Sequence, residues 1–293
     1  MSSLLTNTSA MTALAALTQT QLNLHKVEDQ ISTGKRISNP SDGASYWSIA
    51  TKMSSDIGAL HAVNDALSES ASLVATMSAA LKSTISVMDT IKNDLVTASN
   101  PGADLSKIQT DIAAQQNLLI SIGASANFNG QNWLNTTGGT VNLVASYDSS
   151  SGVSFLSFDT ATSQLFDATT GATQGILGAS GANFTTASIL TLDITSATAG
   201  DLANMLLDVE AAISSLTDAA STLGATTTNI SVQQNYISNL SDSLTTGVGA
   251  LVDANMNEAA TKLAALQVQQ QLGVQALSIS NSNTQLILRL FNF

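Results

Sequence analysis

Between Leu60 and Ala98, twelve mostly apolar positions recur in alternating steps of three and four without a slip: Leu60, Val63, Leu67, Ser70, Val74, Met77, Leu81, Thr84, Met88, Ile91, Leu95 and Ala98. A strict seven-residue repeat keeps one seam of a helix against a partner helix and imposes a left-handed supercoil. The stretch therefore reads as a rod about 60 Å long at roughly 1.5 Å per residue, and Tyr46, Ile49, Met53 and Asp56 extend its register backward. Asn100-Pro101-Gly102 is a turn signal that ends it. A shorter helix then returns antiparallel through Leu105, Ile108, Ile112, Gln115, Leu119 and Ile122. A third unbroken run goes from Leu202 through Met205, Val209, Leu216, Leu223, Ile230 and Ile237 to Leu244, ending near Gly247 and Gly249. The expectation is a mainly α protein, a long coiled-coil helical bundle formed by its N- and C-terminal segments.

The two ends of the chain pose a different constraint. Met1 to His25 and Leu263 to Leu288 contain no Asp, Glu, Lys or Arg, although both stretches are patterned for helices. A helix in water keeps a charged face toward solvent, so these helices expect protein on most of their circumference. Each carries its own heptads: Ala10, Ala13, Leu17, Thr20, Leu24, Val27 and Ile31 at the start, and Val252, Met256, Ala259, Leu263, Leu266, Gln270, Gly273 and Leu277 at the finish, with Ile287 and Phe291 beyond. Small and polar seam positions bury little, and ordering each residue costs about 1–2 kcal/mol of backbone entropy. The ends are expected to be poorly ordered in a free monomer. The residues expected to carry assembly are Leu14, Leu17, Leu24, Val27, Ile31, Leu263, Leu266, Leu277, Ile287 and Phe291.

From about Asn127 to Gly200 helical periodicity disappears and Gly, Ser and Thr crowd the stretch. Thr140–Tyr147, Gly152–Phe158 and Ile189–Ile194 alternate as strands do, giving a small β-rich outer insertion at the far tip of the bundle. Trp133 is expected to staple that insertion to the bundle. Gly34 is suited to end the first helix in a left-handed turn, with Lys35 and Arg36 beside its carbonyls or against an acidic neighbouring subunit.

Aromatic residues make up only 4% and charged residues 10% of the 293, a helix-bundle composition rather than that of a pocketed enzyme. The formal charge of -12 argues against nucleic acid and anionic membrane as partners, since both need basic patches. Cysteine is absent, which removes disulfides and thiolate metal sites. His25 and His61 lie on different helices with no ligand at i+4, so no metal or cofactor is expected. Gly171, Gly175, Gly178 and Gly181 lack the Lys-Ser/Thr of a phosphate loop and read as a flexible outer loop. No nucleophile sits beside a base, so no catalytic residue is expected. No run of about 18 apolar residues suggests a membrane span. The first Lys is Lys26, too late for a Sec n-region, so export is expected by a route that cleaves no such signal.

Several runs carry a resemblance. ISTGKRI at Ile31–Ile37, SDGA at Ser41–Ala44 and Ile49-Ala50, with ANFNGQNWL at Ala126–Leu134, resemble the N-terminal signature of bacterial flagellin. LAALQVQQQLGVQALSISNSN at Leu263–Asn283 is similar, almost residue for residue, to the flagellin C-terminal helix, and YWSIA at Tyr46–Ala50 resembles the α-proteobacterial members. Asn255 departs from the acidic residue common there. The resemblance implies a structural subunit that polymerises into the flagellar filament, or alternatively a hook–filament junction adaptor. It implies an inner-core helix at 1–42, bundle at 43–128, a variable outer region at 129–200, the C-terminal bundle helix at 201–250 and a second inner-core helix at 251–293. It further implies an extracellular location, self-association, and as partners the hook-associated adaptor and cap proteins and a flagellar export chaperone.

Overall fold

The computed structural model describes residues 7–167, 173–185 and 187–291, the stretch 283–291 by its backbone alone. Six helices carry most of the chain: α1 (Thr8–Thr33), α2 (Ala44–Ala98), α3 (Leu105–Ser125), the single turn α4 (Gly175–Gly178), α5 (Ala199–Val252) and α6 (Met256–Phe291). An antiparallel hairpin, β1 (Thr140–Asp148) and β2 (Gly152–Asp159), is the one sheet among the described residues. The chain divides into two compact units, Met1–Ile57 with Asp242–Phe293, and Gly58–Ser241.

In the unit of residues 58–241 the α2 repeat lies on the core. Every position from Leu60 to Ala98 in the register is buried except Ser70, which is half-buried. On α5 the same holds for Leu202, Met205, Val209, Ala212, Leu216, Ala219, Leu223, Thr226, Ile230 and Ile237. Two contacts fix how the helices pair. Gln234 Nε2 donates to Ser68 Oγ at 3.0 Å, and Lys92 Nζ reaches Glu210 Oε1 at 2.9 Å. Going 24 residues forward on α2 goes 24 residues back on α5, so the two run antiparallel without slippage. α2 is long and apolar enough to cross a membrane by length and composition; its buried register is that of a core helix.

α3 is capped by Asp104, whose side chain accepts from Lys107 N, and returns along α2. By Asn129 the chain is again beside Glu69, with Asn129 Nδ2 donating to Glu69 Oε1 at 2.8 Å. The buried stripe of α3 is Ile112, Gln116, Leu119 and Gly123, one residue round from the expected Gln115. The reason is the following insertion, which covers that side. Gln116 Nε2 donates to the carbonyls of Ile189 (2.9 Å) and Leu192 (3.0 Å), and Gln109 Nε2 also donates to Leu192 O. A Cβ on Gly123 would meet Phe166 Cε1 at 2.5 Å, so only glycine admits the ring.

The insertion thus lies along the flank of the bundle rather than at its far tip. It must join the end of α3 to the start of α5, which the antiparallel pairing puts at opposite ends of α3, roughly 30 Å apart. Trp133 is buried and stacks on Phe158 of β2 at 5.0 Å, tying the hairpin to the segment that leaves α3. Ile189–Thr191, expected as a strand, is a 3-10 turn closed by reciprocal Ser188 and Thr191 hydrogen bonds, with its apolar residues buried. Nor do the described glycines behave as a flexible loop. Gly175 (φ +87°) packs where a Cβ would lie 2.7 Å from the Leu165 carbonyl, and Gly181 lies against Asp208.

Asp208 on α5 is buried and holds this segment in place. Its carboxylate accepts from Asn183 N (3.0 Å), Asn183 Nδ2 (2.8 Å) and Phe184 N (2.7 Å). Burial pushes its pKa up, but these bonds and one from Ala182 N outweigh that and hold it below the ordinary 3.8. In the unit of residues 1–57 and 242–293, α1 ends at Gly34 (φ 70°). The next residues clasp the break after α5, which continues through Gly247 and Gly249 to Val252. Arg36 N donates to Val252 O (2.7 Å), Ala254 N to Gly34 O (2.9 Å), and Arg36 Nη2 to Leu251 O at 2.8 Å. Here the basic residue caps the carbonyl end of α5, not of α1. Ile37, Ala50 and Val252 form the core beneath, with Trp47 packed against it. Tyr46 and Ile49 are exposed, so the α2 register does not extend to them.

Asp208→Ala should cost about 1–3 kcal/mol by stranding the 182–184 amides, read as a lower urea midpoint. Because the folded pKa is lowered, the wild type's advantage is full above pH 3.8 and fades as pH falls through the folded value. A gap that widens in acid would contradict this.

Candidate assembly surface

The charge-free ends of the chain meet as α1 and α6. The N-terminal end of α1 is fixed by Asn7, whose side chain accepts from Ala10 N at 2.9 Å and donates to Ser280 O at 3.1 Å. At the other end Gly34 O takes the Ala254 amide. The residue numbers rise on one helix as they fall on the other, so the pair is antiparallel along its whole length.

The pair is close, with Cα atoms approaching within 8 Å along it, and small residues among the seam positions let the backbones approach. A Cβ on Gly273 would lie 3.1 Å from Leu17 Cδ1. Ala10, Ala13, Leu17, Thr20 and Ile31 are half-buried on α1, while Leu24 and Val27 are buried. On α6, Ala259 is buried and Leu263, Leu266, Gln270, Gly273 and Leu277 are half-buried. Met256, assigned to this seam by the heptad, is 45% exposed where α6 begins. Asn255 caps that start, its Oδ1 accepting from Asn257 N and Glu258 N.

The expected assembly residues therefore fall into two groups. Leu17, Leu24, Val27, Ile31, Leu263, Leu266 and Leu277 lie on the seam within one copy. Leu14 points away from it and is 53% exposed. Ile287 and Phe291 belong to α6, but their side chains lie outside the described residues. Heptad reasoning missed Met11, Leu22, Val268, Leu272, Val274 and Ile279, which are all exposed. The signal that could have found them is the coincidence of large apolar residues off the seam with the absence of any charge. Apolar area left in water costs about 25 cal/mol per Å², and large apolar side chains exposed on charge-free helix surface point to association.

Residues 4–138 match the family model described as bacterial flagellin N-terminal helical region, and residues 206–291 match that of the bacterial flagellin C-terminal helical region. Flagellin C of Rhizobium meliloti is 42% identical over 99% of both chains. A flagellin of Brucella melitensis is 44% identical, again over 99% of each. Flagellin A of Rhizobium meliloti is 34% identical over 99% of this chain and 100% of its own.

Seam and outward residues should separate in experiment. Leu24→Ala should destabilise the α1–α6 pair by about 2 kcal/mol, seen as faster amide exchange in both helices. Leu14→Glu should leave that exchange unchanged while suppressing self-association in sedimentation. Equal effects on exchange would erase the distinction.

Proposed function

Because the chain belongs to the bacterial flagellin family, as a structural subunit that polymerises into the extracellular flagellar filament for motility, we propose that α1 and α6 are its inner assembly core. In this reading residues 1–42 and 251–293 form the inner helices, 43–128 and 201–250 the surrounding bundle, and 129–200 the outer region. The observation that carries it is the outward apolar set on the charge-free stretches of the two helices, residues 8–25 of α1 and 263–288 of α6, headed by Leu14, Leu22, Leu272 and Ile279. The α1–α6 seam through Leu17, Leu24, Val27, Ile31, Leu263, Leu266 and Leu277 shapes that surface, and Ile287 and Phe291 extend it.

The subunit acts by contact and not by catalysis. His25, the histidine nearest the core, is exposed and sits 3.3 Å from Glu28, an ordinary helical pair. Membership of the family further suggests the hook-associated adaptor and the cap as end partners, a flagellar export chaperone before assembly, and export without a cleaved Sec signal. Sequencing the N-terminus of shed filaments tests the last point directly.

Seeded polymerisation followed by electron microscopy tests the main reading: open-ended filaments are expected, whereas a short closed ring would point to a junction adaptor. Deleting Leu286–Phe293 should abolish polymer and keep a cooperative melt of the bundle. Limited proteolysis should trim monomer to a core near residues 40–250 while filament resists. Ends equally resistant in both states would refute the role given to them.

A further inference from the structure

Charge is divided very unevenly along this chain. Residues 58–241 hold three Lys against fourteen Asp or Glu, a balance of -11, whereas the other unit holds six Lys or Arg against seven acids, a balance of -1. Within that second unit the cations gather around two adjoining cavities of about 340 and 300 Å³ that share Lys26 and Gln30. The first lies between α1 and α6, floored by Val27 and Leu266, with Lys26 and Lys262 on its walls and no acid. The second adds Lys35 and Arg36 against Asp29 and Asp42. Four cations against Asp29, Asp42 and the Glu258 that pairs with Lys262 leave this trough positive in a chain of net charge -12.

Its lysines are only loosely engaged. Lys26 Nζ is 4.0 Å from Asp42 and Lys262 Nζ 3.0 Å from Glu258, with 60% and 62% of the lysine side chains exposed. Pairs so exposed contribute little and leave the charge available. Conversely, Asp65, Asp89, Asp111 and Asp218 stand exposed on α2, α3 and α5 with no cationic partner among the described residues.

We propose that the trough between α1 and α6 receives a carboxylate-bearing helix face from the residue 58–241 unit of a second copy. This rests on the filament reading and adds to it the contact that fixes which parts of two copies meet. Stacking the -11 units against one another is repulsive, while a contact between unlike units is attractive and suppresses the wrong register. Such a contact joins two different patches, so it propagates head to tail instead of closing. An anionic polymer or membrane is a poorer occupant, because the chain as a whole would repel it.

The test is the critical concentration for seeded polymerisation of the full chain. Lys26→Glu with Lys262→Glu should raise it about tenfold or more at low salt, with the monomer melt unchanged, and Lys26→Gln with Lys262→Gln should fall between. Lys82→Glu, a reversal outside the trough, should change it less than about twofold. Adding Lys in turn at Asp65, Asp89, Asp111 or Asp218 to the doubly reversed chain should restore assembly in at least one case. Wild-type assembly by the reversed chain would overturn the proposal, as would failure of all four additions to rescue it. Normal assembly with lost export or motility would assign the trough to a different acidic partner and likewise overturn it. A wild-type chain that forms no polymer would sink the filament reading itself, and this inference with it.

Discussion

Antiparallel pairing of α2 with α5 is the constraint from which the residue 58–241 unit follows. The seam joins residues such as Ser68 and Gln234 that are far apart in sequence, so closing it carries a large loop entropy that must be recovered by burial. The register recovers it: Leu67, Val74, Met77, Leu81, Met88, Ile91 and Leu95 on one side, and Met205, Val209, Leu216 and Leu223 on the other, are essentially inaccessible to water. At about 25 cal/mol per Å² of apolar surface, such side chains are worth roughly 1.5–3 kcal/mol each. Once that pairing is set, α3 can only lie back along α2, and the insertion is obliged to run along α3 to reach the start of α5.

The α1–α6 pair solves the opposite problem. In its seam Ala10, Ala13, Thr20, Gln270 and Gly273 bring backbones close between the Leu, Val and Ile positions, and α1 fully buries only Leu24 and Val27. Further large apolar residues stand on the outward side, where Met11, Leu14, Leu22 and Val268 remain exposed. A seam strong enough to be indifferent to neighbours would leave assembly with nothing to add.

The long helices were legible because a seven-residue repeat is a property of consecutive residues and survives without knowledge of the partner. Legibility failed where a third element intervened. Gln116 replaces Gln115 on the buried stripe because the carbonyls of Ile189 and Leu192 need its amide, and nothing within α3 announces that. Ile189–Thr191 alternates like a strand, yet Ser188 and Thr191 close it into a 3-10 turn against α3. Gly247 and Gly249 read as a helix stop, but α5 continues through both to Val252. Tyr46 and Ile49 fit the heptad and are nonetheless exposed, since the clasp of Gly34–Ile37 onto Val252 turns the buried face to Ala50 and Trp47.

The same distinction explains what could be read of the assembly surface. Seam residues such as Leu24 and Leu266 were found by periodicity, which detects the partner within the chain and is blind to partners in other copies. Leu14 was found without periodicity, and it is the one described member of that set that faces outward. Absence of charge from residues 8–25 of α1 and 263–288 of α6 is the signal behind the proposed contact with other copies, because it states what a helix surface cannot tolerate rather than which neighbour it has. Polar residues stand in for charges on that surface: Thr12 and Thr18 turn their hydroxyls back onto the α1 carbonyls at 2.9 Å. Satisfied within their own helix, they demand no partner when covered. These hydroxyls can therefore be covered without stranding a polar group, which a Lys or Glu head group in the same place could not be.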